Sequence, residues 1–368
     1  MAYSNVVTPS FYIDNYLYRK AIGAVVTPSA SGSFEIDGEI LAESFYTLTP
    51  STTSSVGSVF INSLNCNPSY YNLGDNLKFY IAILNHDNSL MPNDDQGGYF
   101  RIYHYNESGV GVNVSEDFEE VLNGQADGNA FYPKSGSTIL TTSIPHDTDE
   151  YLFQLRDVSG VPYRQMGAMS LGFKYTMPHS PDIQLSMDIE MDGITTTSTS
   201  NGGLISNIQY TGNPLWYNNE SITNPFAVYD GTLDVTSDVN GGIRNGRKSW
   251  SLAFSYINDV DLFSSNLKSS TYTEHPNDST YQSSDLEPLD DSGNPTSESY
   301  LAFNIDTDNS FYAQVWNKTL GGALPFIFQP DSNNNDEFYI CKFDQSSLRT
   351  TQVSHKVYNV RLKIVETW

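Results

Sequence analysis

Charge is scarce in this sequence, and positive charge is scarcer still. Asp, Glu, Lys and Arg together make up 17% of the 368 residues, and 18 Lys and Arg stand against 43 Asp and Glu, for a net charge of −25. An average globular chain is roughly 25% charged. Neutralising a phosphate backbone takes clustered Lys and Arg, and here they are few and scattered, so specific nucleic-acid binding is not expected. The two cysteines, Cys66 and Cys341, lie far apart and form no C-x-x-C pair, which leaves neither a zinc ribbon nor a disulfide framework to be read. No window approaches the roughly 20 apolar residues of a membrane span, so membrane insertion is not expected either. The opening MAYSNVVTPSFYIDNYLYRK has no basic start followed by an apolar run. It does not read as a secretory leader, and synthesis in the cytoplasm is the expectation.

What the chain has instead is aromatic and period two. Aromatics reach 13%, with 25 Tyr, a composition that buries rings on pleated sheets rather than Leu and Ala on helices. Every second residue is apolar in Ile183, Leu185, Met187, Ile189 and Met191, with polar residues between them; one face meets a core and the other meets water. The same alternation runs through Trp250, Leu252, Phe254 and Tyr256, and through Tyr358, Val360, Leu362 and Ile364. Leu77, Phe79, Ile81 and Ile83 make a fourth strand, and Leu171, Phe173 and Tyr175 a fifth. Turn signals fall at Asp230-Gly231, Asn240-Gly241-Gly242 and Asn245-Gly246.

The fold class expected is therefore all-β: two β-sandwich or jelly-roll-like domains with one or two short helices and a long loop. One helix is placed at Glu116–Leu122, capped by Ser115, with acids at its positive end. The other is placed at Ser310–Leu320, where Phe311, Val315 and Trp316 share a side and Gly321-Gly322 ends the run. The stretch 177–181 (MPHSP) marks a boundary between an N-terminal domain, 1–178, and a C-terminal one, 179–368. The polar tract TTTSTSNGG at 195–203 is short enough for a hairpin tip or a linker. Residues 264–299, rich in Ser, Thr, Asp, Asn and Pro, exceed the ~15 residues usual for a structureless loop in a compact domain. Tyr272, Tyr281, Leu286 and Leu289 give this loop apolar grip and point to a partner-facing role.

Catalytic motifs are missing: there is no H-E-x-x-H and no G-x-S-x-G. His86-Asp87 and His146-Asp147 are adjacent, but neighbours on an extended chain point to opposite faces, so adjacency makes no dyad. Asp188, Glu190 and Asp192 share the polar face of one strand, as acids in a sugar cleft or on any solvated sheet do. Oxygen ligands alternate through Asp331, Asn333 and Asn335, yet the sixth-place Gly and twelfth-place Glu of a calcium loop are absent. No cofactor is expected; a structural calcium ion is the alternative this stretch leaves open. Trp216 and Tyr217 would serve as sugar-stacking faces in a carbohydrate-binding module, but so many Tyr fit protein interfaces better.

The C-terminal half has a distinctive order: GRKSWSL at 246–252, Phe254 and Tyr256, the long loop, Phe311 to Asn317, Pro325-Phe326-Ile327-Phe328, Phe338 to Phe343, and the closing strand from Tyr358. This order resembles the distal-tail and minor-tail proteins of tailed bacteriophages over roughly a third of the chain. The resemblance implies a β-sandwich with a flanking helix that assembles into rings at the tail tip. It also implies a non-enzymatic virion structural protein, a tail or baseplate component, whose partners are itself and neighbouring virion proteins. Pro325 and Phe326 join the loop residues as expected assembly contacts. A capsid decoration protein is the alternative placement in the virion.

Overall fold

The computed structural model describes residues 6–23, 29–32, 34–36, 46–50, 56–62, 68, 71, 73–86, 99–105, 111–114, 117–122, 138–146, 150–156, 166–182, 186–190, 194–198, 204–208, 247–263, 308–334 and 338–367. In chain order they form β1 (Ser10–Asp14), α1 (Asn15–Ala21), β2 (Ser29–Gly32), β3 (Phe34–Ile36), β4 (Tyr46–Pro50), β5 (Val56–Asn62), β6 (Leu77–His86), β7 (Tyr99–Tyr105), β8 (Gly111–Asn113), β9 (Glu119–Leu122) and β10 (Thr138–Thr142). There follow β11 (Glu150–Arg156), β12 (Met166–Thr176), β13 (Ser186–Glu190), β14 (Ile194–Ser198), β15 (Leu204–Ile208), β16 (Arg247–Asn258) and α2 (Asp259–Leu262). A π-helix (Tyr312–Asn317), β17 (Phe326–Gln329), β18 (Tyr339–Phe343), β19 (Thr350–Ser354) and β20 (Val357–Glu366) complete the set.

The chain is mostly β, and every strand pairing described is antiparallel. The principal sheet runs β13-β16-β20-β18-β17-β1-β12-β6-β10-β9, with β19 on β20, β4 on β12 and β3 on β4. A second sheet runs β2-β5-β11-β7-β8, and β14 pairs with β15 in a separate antiparallel pair. Tyr151 of the second sheet stacks on Phe79 of the first at 5.3 Å between ring centroids, so the two layers share one apolar core.

The expected boundary at 178/179 does not divide this sheet. β1, from the N-terminal half, hydrogen-bonds β12 on one side and β17, from the C-terminal half, on the other. All five of its residues are buried, as befits a central strand covered on both faces. Phe11 faces the main core, 5.6 Å from Phe326 and 5.5 Å from Phe328. On the other face, the Tyr12 hydroxyl donates to Gln329 Oε1 at 2.8 Å. Met177, inside the expected linker, is 1% exposed and donates its N–H to Pro9 O.

The helices depart from expectation. The stretch placed as a helix at Glu116–Leu122 contains β9, paired with β10 through Glu119↔Thr141 and Glu120↔Leu140; pairing with a neighbouring strand outweighs a cap and a favourable dipole. At Ser310–Leu320 the chain is helical but wound as a π-helix, and it ends where Leu320, Gly321 and Gly322 all take positive φ. α1 was not expected, although its signals are in the sequence: Asp14 Oδ1 accepts the Leu17 N–H at 2.8 Å, and Arg19 and Lys20 occupy the last turn.

Candidate functional site

Among the described residues, three groupings of polar side chains carry the clearest geometry. In the first, His146 Nε2 lies 2.9 Å from Asp117 Oδ2, and its Nδ1 lies 3.5 Å from the Tyr151 hydroxyl. Asp117 lies 29 residues before His146 in sequence. Phe118 and His104 stack against the imidazole, which is itself buried. Because Tyr151 also stacks on Phe79, this cluster pins one sheet to the other.

In the second, Lys318 follows the π-helix and is fully buried. Its Nζ donates to Gln314 Oε1 at 2.8 Å and to the Tyr71 hydroxyl at 3.2 Å. It lies 4.5 Å from the Tyr71 ring centre and 4.6 Å from that of Phe173. The two rings pack on each other at 3.8 Å between centroids, and the ammonium sits within cation–π reach of both, so Lys318 ties the helical segment to β12.

The third is a row across neighbouring strands at one end of the principal sheet. Ile189 on β13 pairs with Lys248 on β16, and Cys341 on β18 pairs with Glu366 on β20 and Phe326 on β17. The Lys248 N–H donates to Glu366 Oε2 at 3.1 Å, while its Nζ donates to the Tyr339 hydroxyl and lies 4.3 Å from that ring's centre. Burial pushes the Glu366 carboxyl up to about 7 against the opposing pull of Lys248 and Arg247. Burial also pushes the Cys341 thiol well above its ordinary range, which leaves it protonated and a poor nucleophile. The row grades from an exposed Ile189 at 54% to a fully buried Phe326.

Phe326 is therefore a core residue, 4.7 Å from the Phe343 ring and 5.6 Å from Phe11, and Pro325 beside it is also buried. Their expected role as assembly contacts is corrected: both are spent inside this chain, because β17 sits between β18 and β1 in the middle of the sheet. Tyr272, Tyr281, Leu286, Leu289, Trp216 and Tyr217 lie outside the described residues. Many tyrosines expected at interfaces line the core: Tyr12, Tyr16, Tyr71, Tyr80, Tyr151 and Tyr175 are all buried. Asp331 closes its own turn, accepting the Asn333 N–H at 3.0 Å. Among the described residues no group of three His, Cys, Asp or Glu is placed to hold a metal ion.

Part of the described surface is apolar. Alternation predicts Tyr256 inside, in line with Phe254, but a bulge between Phe254 and Ile257 shifts the register. Ile257 takes the inward place at 1% exposure, and Tyr256 is turned out to 74%. Its φ is 64°, a left-handed value for a bulky residue, and its N–H is caught by Asn359 Oδ1 at 3.1 Å. Val260 on α2 is 69% exposed, and Val353 on β19 is 44% exposed. The Asp259 N–H donates to Lys356 O, so α2 and the β19–β20 turn are tied at the same end of the sheet as Tyr256. Comparison with known protein families, curated proteins and solved structures gives no match.

Proposed function

We propose that this chain is a structural subunit of a virus particle, a tail or baseplate component of a tailed bacteriophage, acting by self-association and by docking neighbouring proteins rather than by catalysis. The observation that carries the reading is Tyr256. A non-glycine residue in the left-handed region costs of order 1 kcal/mol or more, and here the strain holds an aromatic ring in solvent, where it contributes little to the fold of one chain. Such a cost is offset when another molecule covers the ring. Val260 and Val353 flank the same end of the sheet. The C-terminal elements β16, π-helix, β17, β18 and β20, with α2 and β19 added between them, follow an order that is consistent with that of the tail proteins the chain resembles.

On this reading the principal sheet is shared by two β-sandwich or jelly-roll-like units joined through β1, and the protein resides in the virion after synthesis in the host cytoplasm. The test is direct imaging of the purified chain by negative-stain electron microscopy, alongside light scattering. Rings or regular oligomers are expected, and Tyr256→Ser reduces their yield while leaving the melting temperature unchanged or higher. A monomer at all accessible concentrations, alone and with co-expressed neighbouring gene products, overturns the reading.

A further inference from the structure

Four strands of the principal sheet, β3, β9, β13 and β19, are hydrogen-bonded on one side only among the described residues, and two of them, β13 and β19, lie in the C-terminal half. Each of these two is five residues long. An unpaired edge is a template for another strand unless proline, inward charge or a bulge blunts it. β13 carries none of these within its pairing to β16. β19 has its irregularity between Gln352 and Ser354, which leaves Thr350-Thr351-Gln352 regular and Val353 turned to solvent.

The edges differ in charge. Asp188, exposed on β13, stands opposite Ser249 on the outer face of the sheet, the face that carries Arg361 and Lys363 on β20. At the other edge, Arg349 immediately precedes Thr350, whose partner is Val360, so Arg349 stands beside Arg361, and both are exposed. Like charges placed side by side on a sheet repel, and a carboxylate brought between them relieves that repulsion. His355 and Lys356 are exposed at the far end of β19. Residues 338–367 hold five Lys and Arg against two carboxylates, which leaves −28 for the rest of a chain whose total is −25. Opposite charge on two free edges of one sheet is the pattern of a head-to-tail contact between identical subunits, which closes into a ring or runs on as a filament.

We propose that β13 of one copy adds to β19 of a second copy, continuing the principal sheet across the contact, with Asp188 of the first facing Arg349 and Arg361 of the second. The inference rests on the reading of this protein as a self-associating subunit. It names the surface and the partner. Ile189, exposed on the opposite face of β13 from Asp188, and the exposed Val353 add apolar surface at the two edges.

Sedimentation velocity on the full chain and on Asp188→Lys, Arg349→Glu and the double swap tests it. Wild type is expected to associate, each single reversal to weaken association by about tenfold or more, and the double swap to restore it. Asp188→Asn and Arg349→Gln, which add no repulsion, give smaller losses in the same direction. Both sites are exposed, so circular dichroism and melting temperature stay at wild-type values. Association undiminished in both single reversals, or not restored in the double swap, overturns the β13–β19 contact and leaves self-association standing through another surface. A wild-type chain that stays monomeric overturns both.

Discussion

The backbone N–H of Tyr256 is held by the side chain of Asn359, 103 residues later in sequence and on the adjacent strand. That bond fixes the bulge which turns the Tyr256 ring out and lets Ile257 enter the core. Tyr256→Gly removes the penalty of positive φ and is expected to change stability by less than ~1 kcal/mol, in the stabilising direction, because glycine's own chain entropy offsets part of the gain. Asn359→Ala removes the acceptor and is expected to cost ~1 kcal/mol. Chemical denaturation of the two variants checks this; equal losses in both would mean that the bulge is set elsewhere.

Asp14 caps α1 from a fully buried position, and burial pushes its carboxyl from 3.8 up to about 7, against donors from Leu17, Ser170, Tyr16 and Leu171 that pull it down. An acid whose folded value is raised stabilises the fold most where it is protonated in both states, below about pH 4. That contribution is lost as pH rises through 7. Glu366, also raised to about 7, acts in the same direction. Stability should therefore fall between pH 4 and pH 8, with a slope approaching ~1.4 kcal/mol per pH unit for each group. Asp14→Asn keeps a side-chain oxygen for the Leu17 N–H and should flatten part of that slope, and Glu366→Gln a further part. Melting curves across this range that show identical slopes in wild type and both variants would remove the argument.

Lys318 joins the helical segment to β12 through the Tyr71 and Phe173 rings and through Gln314. Lys318→Ala leaves a cavity beside the two rings and is expected to cost ~3 kcal/mol. Lys318→Met refills the space without the hydrogen bonds and is expected to recover about half of that. Urea titration with tryptophan fluorescence reads both, since Trp316 lies two residues away.

Gly172 is where α1 meets the sheet. A Cβ at this position would stand 2.1 Å from Ile13 O and 2.6 Å from Asn15 N, both backbone atoms that cannot step aside. Gly172→Ala is expected to cost ~2 kcal/mol or more, seen as a lower denaturation midpoint or loss of soluble protein. A wild-type midpoint would show that α1 is free to shift.

Much of the sheet was legible in the sequence because period two is a local property. Trp250, Leu252 and Phe254, then Val360, Leu362 and Ile364, then Leu171, Phe173 and Tyr175 all face inward as alternation requires. The helical segment after Ser310 was legible too, through its Phe311, Val315 and Trp316 spacing and its terminal glycines. The candidate surface was not: Tyr256 breaks its own alternation because of a bulge set by a residue on another strand, and the β13 and β19 edges exist only once β16 and β20 are paired.

By itself the sequence determined the β character, the acidic balance and the faces of the strongest strands, since each follows from residue type and spacing along the chain. Only the tertiary structure decided which strands are neighbours. It set β1 between β12 and β17 so that one sheet crosses the expected boundary, it drew His146 to Asp117, and it enclosed Phe326 while leaving Tyr256 in water. The physical reason is that burial and strand pairing depend on residues far apart in the chain, and local pattern carries no record of them.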